Sequence, residues 1–263
     1  MKYKAGFIGC GNMGGALAKA VASAVGGSSV ALFDVDGAKA AALAGALGAV
    51  ATDDIDIYKN SEFVFFAVKP NIIGKVLSSA SSKLSKNAVA VSMAAGVSVR
   101  DVTSALGSDR VIRIMPNTPA AVGAGVILYT CAEGIKDGDV SSFLQVMSRA
   151  GIVDAIDEKY IDAAAALSGC GPAFAYMFIE GLADGAVACG LPRDKALLYA
   201  KQTLFGAASL ALSSDKHPEK LKDEVCSPGG TTIEGVLALE RGAFRADAAS
   251  AVIAAYEKTK KLK

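Results

Sequence analysis

Between residues 4 and 156, apolar runs of strand length alternate with alanine-rich stretches of helical spacing. The runs at 5–8, 30–33, 63–68, 88–91, 111–114 and 125–129 are each soon followed by Gly, Pro, Asn or Asp and then by a helical pattern. Strands with no polar side need cover on both faces, so the rhythm predicts a largely parallel, doubly wound α/β sheet. Near residue 157 the strand rhythm stops. The rest reads as helices punctuated by Gly171-Pro172, Leu191-Pro192, His217-Pro218 and Ser227-Pro228-Gly229-Gly230. The expected division is an α/β domain over 1–156 and an all-helical domain over 157–263. The Ala- and Leu-rich helices of the second part are too apolar for exposure all round, which predicts burial against a second copy, a homodimer at least.

The most apolar stretch, 163–188, is interrupted by Gly169, Gly171, Pro172, Glu180 and Asp184. A membrane-spanning helix needs about 20 apolar residues with few or no charges, so a buried or dimer-facing helix is expected and no membrane partner. Met1-Lys2-Tyr3-Lys4 runs straight into a strand pattern without a signal-peptide layout, and the reading is a cytoplasmic protein with reduced thiols. Cys10, Cys131, Cys170, Cys189 and Cys226 lack metal-ligand spacing and the single histidine, His217, lies in a polar stretch, so no metal site is expected. Lys plus Arg number 27 against 26 Asp plus Glu, a balance that points away from nucleic acid and towards a small-molecule ligand.

Gly9-Cys10-Gly11-Asn12-Met13-Gly14 is a G-x-G-x-x-G loop placed after the first strand run and before a helical pattern. The first glycine permits a tight turn, the second lets a pyrophosphate approach the backbone, and the third lets helix pack on strand. The helix start then offers free N–H groups and a positive dipole end. With Asp34 at the end of the second strand run, this is the pattern of a Rossmann-type dinucleotide-binding domain. A carboxylate at that strand end bonds the ribose hydroxyls of NAD and repels the 2′-phosphate of NADP, although it can also cap the next helix. Lys39 is the only cation close by in sequence. Ala67-Val68-Lys69-Pro70 and Met93-Ala94-Ala95 end two further strands on the side where such sheets bind ligands. Met115-Pro116-Asn117-Thr118-Pro119 closes the next as a stiff wall.

A second constellation is "SPGGTTIEG", residues 227–235. Thr231 followed three residues on by Glu234 fits a capping box with Thr231 as N-cap. Pro-Gly-Gly and a second threonine, all free of bulky side chains, are left over by that reading. Backbone N–H groups of Gly229, Gly230, Thr231 and Thr232 are expected to converge on a small anion such as a carboxylate.

With "GFIGCGNMG", "AVKP", "MPNTP", "SGCGPA" and "CSPGGTTIEG", the chain resembles the pyrroline-5-carboxylate reductases over essentially its whole length. The resemblance implies reduction of 1-pyrroline-5-carboxylate to L-proline, the last step of proline biosynthesis, with hydride from NADPH or NADH. It also implies an N-terminal Rossmann-type sheet followed by an all-α C-terminal dimerisation domain interleaved with its partner's, and in some members a decamer of such dimers. Gly9, Cys10, Gly11, Asn12, Met13, Gly14, Ala67, Val68, Lys69, Pro70, Met93, Ala94 and Ala95 match cofactor-contacting segments; Asp54 falls where members can carry Asn. Ser227, Gly229, Gly230, Thr231 and Thr232 match the substrate loop, and Thr232 the threonine that bonds the ring nitrogen. The resemblance favours NADP, whereas Asp34 favours NAD. Two other functions fit parts of the chain. One is a dinucleotide-binding sensor without chemistry, which needs no second anion site. The other is a Rossmann-plus-helical dehydrogenase of a small hydroxy acid, for which Lys195, Lys201 and Lys222 are the nearest base candidates and read instead as helix-surface charges.

Overall fold

The computed structural model describes residues 1–261, which fall into two compact units: Met1 to Cys170 together with the chain from Tyr256 onward, and Gly171 to Ala255. The first holds an eight-stranded sheet, β1 (Tyr3–Ile8), β2 (Val30–Phe33), β3 (Val50–Ala51), β4 (Ser61–Phe66), β5 (Val89–Ser92), β6 (Val111–Met115), β7 (Gly125–Cys131) and β8 (Gly151–Ala155), in the order β3-β2-β1-β4-β5-β6-β7-β8. The two strands at its edges, β3 and β8, are not among the runs read from the sequence, because two residues, or a Gly-Ile-Val-Asp-Ala segment, carry too little apolar signal. The order reverses beside β1, and that switch point is where a doubly wound sheet opens a crevice for ligands. β7 is antiparallel to β6, and β8 is parallel to β7, so these two run against the other six.

Helices cover both faces. Phe7, Phe65, Val91 and Ile112 face α1 (Asn12–Val25), α2 (Gly37–Leu47) and α6 (Asp137–Met147) through Leu17, Val21, Ala44 and Phe143. The Phe7 and Phe65 rings stack with centroids 4.5 Å apart. Ile8, Val64, Phe66 and Ala90 face α3 (Asp54–Asn60), α4 (Pro70–Ala80) and α5 (Val99–Leu106) through Ile57, Ile73, Leu77 and Val102. This alternation of sides along strands buried on both faces explains why the sequence shows unbroken apolar runs.

The compact unit continues past the last strand. In α7 (Ile161–Ser168), Ile161 is fully buried against Met115 and Leu128. Arg113, 3% exposed on β6, pairs with Glu158 at 2.8 Å and with Asp162 at 3.5 Å. Asn117 closes the seam, donating through Nδ2 to Ser168 O at 2.9 Å and accepting at Oδ1 from Val126 N at 2.9 Å. The change of secondary structure expected at 156/157 is present, but the compact units divide at Cys170, because these contacts bind α7 to the sheet.

The second unit holds α8 (Gly171–Ala188), α9 (Arg193–Leu212), α10 (Pro218–Val225), α11 (Thr231–Arg241) and most of α12 (Phe244–Lys260). The apolar stretch 163–188 is therefore two helices, broken at Gly169 and Cys170, and among the described residues no helix is long and apolar enough to cross a membrane. This unit buries only Ala183, Ala196 and Ala200. Tyr176, Met177, Leu198, Phe205 and Ile253 are all more than half exposed. Phe174, Phe178, Leu204, Leu239 and Phe244 line an open apolar groove of about 680 Å³.

Candidate functional site

The glycine loop turns between β1 and α1. Gly9 has φ +105°, and a Cβ there would lie 2.6 Å from Ala67 O; one on Gly14 would collide with Gly9 O. Both are glycines for reasons internal to the chain. Gly11 is different: a Cβ there would meet nothing of the protein within 4 Å. Gly11 is the N-cap of α1, whose first turn carries no acidic residue and whose leading N–H groups have no helical partner. Open backbone at a helix start of this kind is suited to a pyrophosphate, which satisfies those groups and takes advantage of the dipole.

Beside the loop lies a cavity of about 420 Å³, walled by Ile8, Phe33, Val68, Ile72 and Val76 and rimmed by Asp34, Asp54, Lys39, Lys69 and Lys75. Its size and its apolar walls with a charged rim suit an adenosine. Of the residues expected to meet a cofactor, Gly9, Gly11, Asp34, Ala67, Val68 and Lys69 line it together. Met93 and Ala94 are buried beyond the end of β5, Ala95 is exposed, and none of the three lines the cavity. Lys69 is the N-cap of α4 and Pro70 its first residue, where a missing N–H costs nothing.

Asp34 is held firmly. Its Oδ2 accepts from Cys10 N at 2.7 Å and its Oδ1 from Asp36 N at 3.0 Å. The capping role considered for Asp34 belongs to Asp36, whose Oδ1 accepts from Lys39 N at 3.2 Å at the start of α2. The Cys10 N–H thus serves Asp34 instead of standing free in the loop. Burial, reinforced by the Asp34 charge, pushes the Cys10 thiol up to about 11, so it stays protonated and unreactive at neutral pH. The Asp34 and Cys10 pairing joins residues 24 apart, and only the parallel register of β1 and β2 brings them together; no local signal announces it.

The second constellation is in the helical unit, and here the structure corrects the sequence reading. The N-cap of α11 is Gly230, with extended backbone and no side-chain cap, so Thr231 and Thr232 are the first two helical residues and the box with Glu234 does not form. The reason is the turn that precedes it. Gly229 adopts φ +65°, Gly230 N donates to Ser227 O at 3.0 Å, and the chain enters the helix one residue earlier than the Thr-x-x-Glu spacing suggested. A Cβ on Gly230 would collide with Ser227 Oγ, so the glycine is what lets Ser227 fold over the turn. Thr231, Thr232 and Ile233 therefore present three N–H groups without helical partners, with the Ser227 hydroxyl against Gly230 just before them. His217, the N-cap of α10 through Nδ1 at 3.3 Å from Glu219 N, is a structural residue the sequence reading did not assign.

Two family descriptions match: "NADP oxidoreductase coenzyme F420-dependent" over residues 4–96 and "Pyrroline-5-carboxylate reductase dimerisation" over residues 158–262. The pyrroline-5-carboxylate reductase of Escherichia coli is 42% identical over 266 aligned residues, covering 100% of this chain and 99% of that one. The pea (Pisum sativum) enzyme of the same name is 40% identical, covering 99% and 96%. Among solved structures, the Plasmodium falciparum pyrroline carboxylate reductase with NADP bound superposes with a TM-score of 0.87 at 31% identity, covering 99% of this chain and 98% of that chain. The loop at residues 9–14 is common to many nucleotide-binding folds, but identity at this level from end to end is not, and the chain belongs to the pyrroline-5-carboxylate reductase family.

Proposed function

We propose that the protein reduces 1-pyrroline-5-carboxylate to L-proline with NADP, in its reduced form, as hydride donor. The observation that carries this reading is the end-to-end identity with enzymes named for that reaction, from a bacterium and a plant alike. The glycine loop, the open backbone at Gly11 and the adjoining cavity fit a dinucleotide, which when bound supplies the hydride.

Reduction adds hydride to the carbon of the ring C=N bond, and the nitrogen, now holding the electron pair, takes a proton. The start of α11 is suited to the substrate carboxylate: three free N–H groups, a hydroxyl from Ser227 and the positive end of an 11-residue helix. Thr232, on the second helical residue, is the group we assign to the ring nitrogen. Its hydroxyl accepts from a protonated imine and orients it, or donates to a neutral one and passes on a proton from water. No histidine or paired carboxylate occurs in the loop, so holding the imine carbon at attack distance supplies most of the rate, an effect of about 7–11 kcal/mol in well-oriented model reactions.

We further infer a homodimer, cytoplasmic and with reduced thiols. A helical unit whose own core is three alanines, with a run of exposed aromatic and aliphatic side chains, needs a second apolar surface, and a second copy offers the same groove in return. Larger assemblies, a decamer included, would be built from that dimer. The five cysteines are all unpaired, as suits a reducing compartment.

The test is to mix the protein with pyrroline-5-carboxylate and NADPH and follow loss of absorbance at the reduced-nicotinamide band, with proline identified as product. Cofactor binding without substrate-dependent oxidation would leave a sensor, not a reductase.

A further inference from the structure

We propose that Glu158 is a positioning residue for hydride transfer: anchored on the buried Arg113, it fixes the loop between β5 and α5, residues 93–98, at the nicotinamide end of the cofactor; this rests on the reductase reading above. A dinucleotide lies across the switch point of a doubly wound sheet, so with its adenosine in the cavity on the β1–β2 side, its other end falls towards the ends of β4 and β5. The loop that leaves β5 there is Met93-Ala94-Ala95-Gly96-Val97-Ser98. Ala95 is exposed, Gly96 takes φ +75°, and Val97 N reaches Ala94 O only at 3.4 Å, so little inside the loop holds its shape.

The hold comes from outside. At the start of α5 a capping box is complete within the helix: Ser98 Oγ accepts from Asp101 N at 3.1 Å, and Ser98 N donates to Asp101 Oδ2 at 3.0 Å. Val99, the first helical residue, keeps an N–H that no helical carbonyl reaches. Glu158 Oε1, 59 residues further along the chain, accepts from Val99 N at 2.7 Å and also from Arg113 Nη1 at 2.8 Å. Arg113 is 3% exposed, and Asp162 lies 3.5 Å from its other terminal nitrogen, so the guanidinium that anchors Glu158 has little freedom. In the sheet Arg113 stands beside Ser92, the last residue of β5, where the loop departs. Both ends of the loop are thus tied to one residue of β6, the departure by strand pairing and the return through Glu158. The helix is capped without this second acceptor; what Glu158 adds is a fixed point of return for the loop.

The test is calorimetric titration of NADPH and of 2′,5′-ADP, which has the adenosine end of the cofactor and no nicotinamide, into the full-length protein and into Glu158→Ala, Glu158→Gln and Val99→Pro. Deuterium exchange of residues 93–98 is measured in the unliganded proteins, and thermal unfolding registers folding. Val99→Pro deletes the one N–H and leaves Arg113 and Glu158 paired; proline is tolerated at the first helical position, and the extended Ser98 before it suits a proline. Glu158→Ala and Val99→Pro should each weaken NADPH about tenfold, the order of one hydrogen bond to a charged group, leave 2′,5′-ADP within about twofold, and raise exchange across the loop. Turnover at saturating NADPH should fall by a similar factor, with the KM for pyrroline-5-carboxylate little changed. Glu158→Gln, which keeps an oxygen for Val99 N, should recover most of each loss. Equal weakening of 2′,5′-ADP, a Glu158→Gln no better than Glu158→Ala, or a folded Val99→Pro that binds NADPH as the wild type does would overturn the proposal; Val99→Pro decides alone should Glu158→Ala not fold. Failure of the reductase reading shows separately, as absence of substrate-dependent oxidation by the wild type, because binding and exchange are read without turnover.

Discussion

Ser227 Oγ occupies the place that a Cβ on Gly230 would take, so the serine side chain and the bare backbone of the helix start are fitted to each other. Gly230→Ala should push Ser227 off the turn and disturb the N–H groups that follow. The expected result is a KM for pyrroline-5-carboxylate raised about tenfold, with the dissociation constant of NADPH unchanged by titration. An unchanged KM would remove the carboxylate from this loop.

Thr232→Ala keeps the helix and its N–H groups and deletes one hydroxyl. Turnover should fall by about tenfold to a hundredfold, the range for loss of one hydrogen bond to a reacting centre, while substrate affinity changes little. Steady-state kinetics across pH 6–9 would check it, and Thr232→Ser should recover most of the loss.

Asn117 is 6% exposed and uses both ends of its amide. Asn117→Ala leaves Ser168 O and Val126 N without that partner, at about 1–3 kcal/mol for each group that stays dry, so the total should reach at least about 2 kcal/mol. Differential scanning calorimetry should show the sheet unit melting about 4–8 °C lower.

Ala243, in the turn between α11 and α12, has φ +57°, the only non-glycine with positive φ among the described residues. A left-handed alanine costs about 1–2 kcal/mol, and a glycine returns part of that in backbone entropy. Ala243→Gly should therefore stabilise the helical unit by up to about 1 kcal/mol, read as a higher denaturation midpoint.

Asp56 ties α3 to β1. Hydrogen bonds from Asn60 at 2.6 Å, and then from Tyr3 at 2.9 Å and Thr52 at 3.1 Å, hold its carboxyl below the usual aspartate range against the opposing effect of desolvation. A depressed folded-state value means that its stabilisation is complete above the ordinary aspartate pKa, about 3.9, and is lost as pH falls through the folded value. Asp56→Asn should be less stable than wild type at pH 7, and the gap should close below about pH 4 in urea titrations run at each pH.

Much of this was legible in the chain. Strand and helix alternation is written in runs such as Phe63-Val64-Phe65-Phe66, and Gly9 and Gly14 announce their turn because close backbone approach admits no other residue. What could not be read depends on who meets whom. Thr231 and Glu234 have the right spacing for a capping box, yet the positive φ of Gly229 starts the helix one residue sooner. Asp34, at its strand end, is the cap that the spacing offers for the next helix, yet the strand register gives it Cys10 N and leaves the cap to Asp36. Asn117 looked like part of a stiff proline wall, because its partners, 9 and 51 residues away, leave no local trace.

The reversed strand β7, with Asn117 joining its start to the end of α7, also decides how this architecture can be taken apart. A chimera that kept the nucleotide half of one reductase and the helical half of another would be cut by eye at residue 157, where strands give way to helices. That cut separates Arg113 from Glu158 and Asn117 from Ser168, and each parent would inherit half of a buried pairing. A junction after Cys170 carries those partners together, so the exchangeable module of this enzyme runs from α8 to Ala255, and the first helix past the sheet travels with the nucleotide half, as does the end of α12.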